Sequence, residues 1–97
     1  MSVVIVGGHD RMVCQYKDIC KSCKCKAKVF TQPESNLECM MGEPDLIVLF
    51  TNPVSHKMAR IARTKAAKSG AQLAQSHSAS CAALKNILRE KAAHEEQ

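Results

Sequence analysis

Two unbroken apolar runs, Val3-Val4-Ile5-Val6 and Leu46-Ile47-Val48-Leu49-Phe50, decide most of what this chain can fold into. A strand with one wet face alternates polar and apolar residues. These runs do not alternate, so each reads as a strand buried on both faces. Each is followed by a turn and then by apolar residues at helical spacing. That succession predicts a parallel sheet covered by helices on both sides.

The pattern between the runs completes the sheet. Gly7-Gly8 ends the first strand, where glycine permits a tight turn and close backbone approach to a ligand. Asp10 is then expected as a helix N-cap, with Met12, Val13, Tyr16, Ile19, Cys20 and Cys23 as the core-facing stripe. From Cys25 to Thr31 the chain alternates, with Lys26 and Lys28 on one face, as suits a half-buried edge strand. Residues 33–44 read as a loop with a helical turn around Leu37 to Met41. Ser55 can cap a helix whose Met58, Ile61, Ala62 and Ala66 face inward while Lys57, Arg60, Thr64 and Lys68 face water; Gly70 stops it in a left-handed conformation. Ala71 to Ser76 is the fourth strand, and a serine-rich turn leads to a last helix carrying Cys81, Leu84, Ile87 and Leu88.

Right-handed crossovers, with one reversal of direction after the second strand, order the sheet 2-1-3-4. The expectation is one Rossmann-like α/β domain over residues 1–91, three-layered around a four-stranded parallel sheet, with a flexible tail over 92–97. The fourth strand is an uncovered edge, so a homo-oligomer is expected.

Three of the four histidines occupy the same structural address. His9, His56 and His77 each follow a strand by a few residues, which places them at the carboxyl-end rim where open α/β sheets bind ligands. The switch point between strands 1 and 3 is expected to bring His9 and His56 close, with His77 one strand away.

Composition bounds the chemistry. Ninety-seven residues make one small domain with one modest core, and only Tyr16, Phe30 and Phe50 are aromatic. The net charge of +5 favours an anionic ligand or partner. The scarcity of aromatics argues against a base-stacking nucleic-acid surface. No segment approaches the ~20 apolar residues of a membrane span. The opening run is too short for a signal-peptide core, so the chain is read as cytoplasmic and its six cysteines as thiols or metal ligands rather than disulfides.

Four blocks carry a family resemblance: Val-Val-Ile-Val-Gly-Gly-His-Asp-Arg-Met at 3–12, Pro-Asp-Leu-Ile-Val-Leu-Phe-Thr at 44–51, Ser-His-Lys-Met-Ala-Arg at 55–60 and Ser-His-Ser-Ala-Ser-Cys at 76–81. Together they resemble a family of small bacterial proteins known as a domain of unknown function, found alone or fused to another domain. The resemblance spans nearly the whole chain. It implies a small Rossmann-like domain, with an association to metal or haem binding, and no activity.

Neutral imidazole is a common metal ligand, and converging histidines can hold zinc or iron, or ligate haem. His9, His56 and His77 are the candidate ligands, joined by Cys81, whose place in the first turn of the last helix favours a thiolate. Asp10 is expected to fix an imidazole tautomer from the second shell of ligands. Met12 and Met58 supply apolar walls, and Arg11, Lys57 and Arg60 are placed to meet carboxylates such as haem propionates.

The competing reading is a regulatory module for a phosphorylated or nucleotide ligand. It would be gripped by helix starts, by Gly7-Gly8 with Arg11, and by Ser55 and Ser78. A dinucleotide fingerprint is incomplete: the spaced glycines are missing, and Thr31-Gln32 stands at the end of strand 2 where an acid would hold a ribose. The Cys20-x-x-Cys23-x-Cys25 cluster falls on core-facing positions and reads as packing. No acidic pair or oriented nucleophile is in place, so the chain reads as a binding protein rather than an enzyme.

Overall fold

The computed structural model describes residues 2–32, 36–51 and 54–95, without the side chains of residue 38 or of residues 92–95. Four strands, β1 (Ser2–Val6), β2 (Lys26–Phe30), β3 (Leu46–Phe50) and β4 (Gln72–Ser76), alternate with helices α1 (Val13–Ser22), α2 (Leu37–Met41), α3 (His56–Ser69) and α4 (Cys81–Glu95). All strand pairs are parallel and the order is β2-β1-β3-β4, as the crossovers require. The tail expected over 92–97 overlaps the last turn of α4 and ends outside the described residues.

Pleating sorts each central strand between two cores. Val3, Ile5, Leu46, Val48 and Phe50 meet Tyr16, Ile19 and Cys20 of α1 and Leu84 and Leu88 of α4. Val4, Val6, Ile47 and Leu49 meet Leu37 and Met41 of α2 and Met58, Ala59, Ala62 and Ala66 of α3. This is why β1 and β3 show no polar alternation: neither face of either strand reaches water. The two sheet edges differ. Lys26 and Lys28 project from β2 and are exposed, whereas β4 presents only the uncharged Gln72 and Gln75 as exposed side chains.

Local signals set the helix ends. The Ser55 hydroxyl accepts from the Met58 amide at 3.2 Å, and Gly70, at φ 73°, closes α3 with its amide on the Ala66 carbonyl. The buried arc of α3 is turned slightly from the expected one: Ala59 is buried and Ile61 only half-buried. α1 ends in a Schellman motif. The amides of Lys24 and Cys25 bond the carbonyls of Lys21 and Cys20, at 2.9 and 2.8 Å, and Lys24 holds a left-handed φ of 60°. Cys20 and Cys25 occupy the motif's apolar pair of positions, and burial pushes the Cys20 thiol up to about 12, with Cys25 and Cys23 adding to the rise.

One local expectation fails. Asp10 is not an N-cap: it opens a single 3₁₀ turn, Asp10–Met12, with His9 in the cap position making no side-chain cap bond. The carboxylate is drawn away by partners just past the end of β2, described below.

Candidate functional site

Because all four strands run the same way in register, their carboxyl ends are level: Val6 stands beside Phe30 and Leu49, and Phe50 beside Ser76. His9, His56 and His77 all leave from this one rim, and all three are exposed. Among the described residues three clefts open along the rim, and His9 lines two of them.

The first cleft, of about 540 Å³, is lined by His9, Met12, His77, Ser78, Ala79, Ser80 and Cys81. It unites histidines from opposite sides of β3 with the Cys81 thiol, which lies 3.4 Å from Gln15 Oε1. The serine turn is built on its own hydrogen bonds. Ser76 Oγ donates to the Ser78 carbonyl at 2.8 Å, Ser78 Oγ to Ser80 Oγ at 3.1 Å, and the Ala83 amide donates to Ser80 Oγ at 3.2 Å, capping α4.

The second cleft, of about 420 Å³, lies at the switch point between β1 and β3 and is lined by Gly8, His9, Asp10, Thr31, Gln32, Val54, Ser55 and Met58. Asp10 Oδ1 accepts from Thr31 Oγ1, and Oδ2 accepts from Gln32 Nε2 at 2.7 Å. These two bonds, Thr31 first, hold the Asp10 carboxyl below its ordinary value. The carboxylate is therefore committed to the two residues that follow β2, rather than to an imidazole hydrogen bond. The third cleft, about 260 Å³, holds His56 with Thr51, Val54, Ser55, Ala59 and Arg63.

The expected pairing at the rim is thus rearranged. His9 shares a cleft with His77, and His56 faces a different one. Strand order alone places His56 nearer. Among the described residues no group of three or more His, Cys, Asp or Glu lies together as a set able to hold a metal ion. Arg11 and Arg60 are exposed and line none of these three clefts. Gly7 is buried and its amide is taken by the Phe30 carbonyl at 2.9 Å, which leaves Gly8 as the glycine that lines a cleft.

Sequence reasoning passed over one residue that organises the rim. Tyr16, read as part of an apolar stripe, is fully buried, and its hydroxyl donates to the Ala79 carbonyl at 2.6 Å and sits 3.7 Å from Met12 Sδ. Burial raises this hydroxyl above its ordinary value, opposed by a hydrogen bond from the His9 backbone, while Cys81 adds to the rise. One phenol therefore fastens the His9 loop to the loop that carries His77 and leads into Cys81 of α4. The signal was a lone tyrosine on an apolar face, since a buried phenol needs a partner.

The family model described as "Uncharacterized protein conserved in bacteria (DUF2325)" matches residues 2–91. No curated protein and no solved structure matches the chain.

Proposed function

The chain belongs to that bacterial DUF2325 family, whose description names no activity, and we propose from its own residues that it is a non-enzymatic binding protein for haem or a transition metal, serving as a sensor or carrier. The site is the cleft shared by His9, His77 and Cys81. The observation that carries the reading is the meeting of two imidazoles from separate loops in one cleft walled by Met12 and Ala79.

The donor set fits some groups better than others. A closed zinc site takes four ligands, more than this cleft offers without rearrangement, whereas haem iron needs only one or two axial ligands. His9 or His77 would hold the iron through a ring nitrogen, and Cys81 would be a further soft donor. Bound iron would provide ligand sensing or electron chemistry. The protein's part is to orient the imidazoles, and Tyr16 fixes the spacing of the loops that bear them.

Haemin titration tests this. A shifted Soret band is expected for the parent protein, with loss or displacement of the band in His9→Ala and His77→Ala. Freshly purified protein without bound metal, and no Soret shift on adding haemin, would reject the reading.

A phosphorylated or nucleotide ligand is the second reading. What favours it is the second cleft, which occupies the switch point where sheets of this topology hold such ligands.

A further inference from the structure

In nucleotide-binding sheets of this kind a carboxylate at the carboxyl end of β2 receives ribose hydroxyls, and phosphate sits at the start of the first helix. In this chain Thr31-Gln32 follows β2, so the acid is missing from its usual place in sequence. The fold returns it by another route. Asp10 reaches across from the loop after β1 and is clasped by Thr31 and Gln32, so a carboxylate stands at the end of β2 after all.

Three features of this arrangement bear on ligand class. Each carboxylate oxygen accepts one hydrogen bond from the segment just after β2, and each keeps a second acceptor position. Two neighbouring hydroxyls on one sugar match two oxygens of one carboxylate. The negative charge stands in the loop where a phosphate would otherwise dock, and it repels one. The half-buried Val54, backed by the buried Met58, gives the cleft an apolar patch for a base.

We propose that the second cleft binds a ribonucleoside, with the vicinal sugar hydroxyls on the Asp10 carboxylate between Thr31 and Gln32 and the base against Val54. This rests on the second reading of the rim, not on the haem reading, and narrows it: recognition is of sugar hydroxyls rather than of phosphate.

The test is calorimetric titration with adenosine, guanosine, cytidine and uridine, each beside its 2′-deoxy counterpart and its 5′-monophosphate. At least one ribonucleoside is expected to bind. Removing the 2′-hydroxyl should weaken it about tenfold or more, as should Asp10→Asn, since each deletes a charge-assisted hydrogen bond. The monophosphate should bind no tighter than the nucleoside. Asp10 is exposed, so the Asn variant should fold, and a circular dichroism melt checks this. Thr31→Ala, which keeps the charge but loosens its orientation, should give a smaller loss. Absence of ribonucleoside binding, indifference to the 2′-hydroxyl, or an unchanged affinity in Asp10→Asn each overturns the proposal. A monophosphate that binds tighter, and tighter still to Asp10→Asn, overturns it in favour of a phosphate site. Haemin and nucleosides read different clefts, so failure in one titration leaves the other standing.

Discussion

Replacing Tyr16 by Phe isolates a single oxygen that joins the two loops of the rim. The ring would stay, together with its contact to Phe50 at a centroid distance of 5.4 Å, so little packing is lost. What disappears is the 2.6 Å bond to the Ala79 carbonyl, and Ala79 is only 7% exposed. An acceptor left buried without its donor costs about 1–3 kcal/mol. For a domain of this size each kcal/mol lowers Tm by ~4–8 °C. Urea denaturation followed by circular dichroism should show a midpoint lowered by roughly 1–2 M with an unchanged slope.

A second substitution sharpens the test. Gly8 has φ +88°, and a Cβ there would lie 2.7 Å from the Tyr16 hydroxyl oxygen and 3.0 Å from a ring carbon. Gly8→Ala should therefore cost ~2–4 kcal/mol, from backbone strain and the clash together. Combined with Tyr16→Phe, the closest clash goes, so the double variant should be at least about 0.5 kcal/mol more stable than the sum of the singles. A Tyr16→Phe midpoint within about 0.2 M of the parent, or strict additivity in the cycle, would refute the reasoning.

Other substitutions test the fold independently. Lys24→Gly should stabilise by ~0.5–1 kcal/mol, because glycine accepts the left-handed φ of 60° at this helix end; a lowered Tm would contradict that account. Leu84→Ala, at a fully buried position of α4, should cost ~2–5 kcal/mol in chemical denaturation. Cys20 tests linkage. Its thiol is raised from an ordinary 9.0 to about 12, so its contribution is complete below about pH 9 and is lost as pH rises toward 12. Cys20→Ala should flatten that alkaline decline, whatever its effect at neutral pH, and an identical slope would count against the burial argument. Under native conditions a thiol reagent should label the exposed Cys14 and Cys39 first and reach Cys20 only on unfolding.

How far the sequence could be read depended on how local the determining interaction is. β3 was evident because an apolar run needs only its own residues to declare burial, and α3 because Ser55 and Gly70 act within one turn of it. Strand order followed from crossover handedness, a property of chain connection rather than of side chains. The site was less legible. That the histidines leave one rim follows from parallel strands, but which of them share a cleft does not follow from strand order. Asp10 shows the difficulty most clearly. Its residue type and position suit a cap, yet Thr31 and Gln32, 21 and 22 residues away, outcompete the local amides. Lys24 is a smaller instance, since a left-handed helix end without glycine carries no compositional flag.

The unequal borders of the sheet limit how copies of this molecule can add to one another. Exposed lysines along β2 disfavour a further strand there, while β4 carries no charged residue of its own, Arg63 of α3 reaching its Gln75 from outside the sheet. Growth through β4 against a symmetry-related β4 would use up both permissive borders at once and leave a cationic border at each extremity. Were copies to join through this border, lateral assembly would stop at two subunits rather than run on as a ribbon.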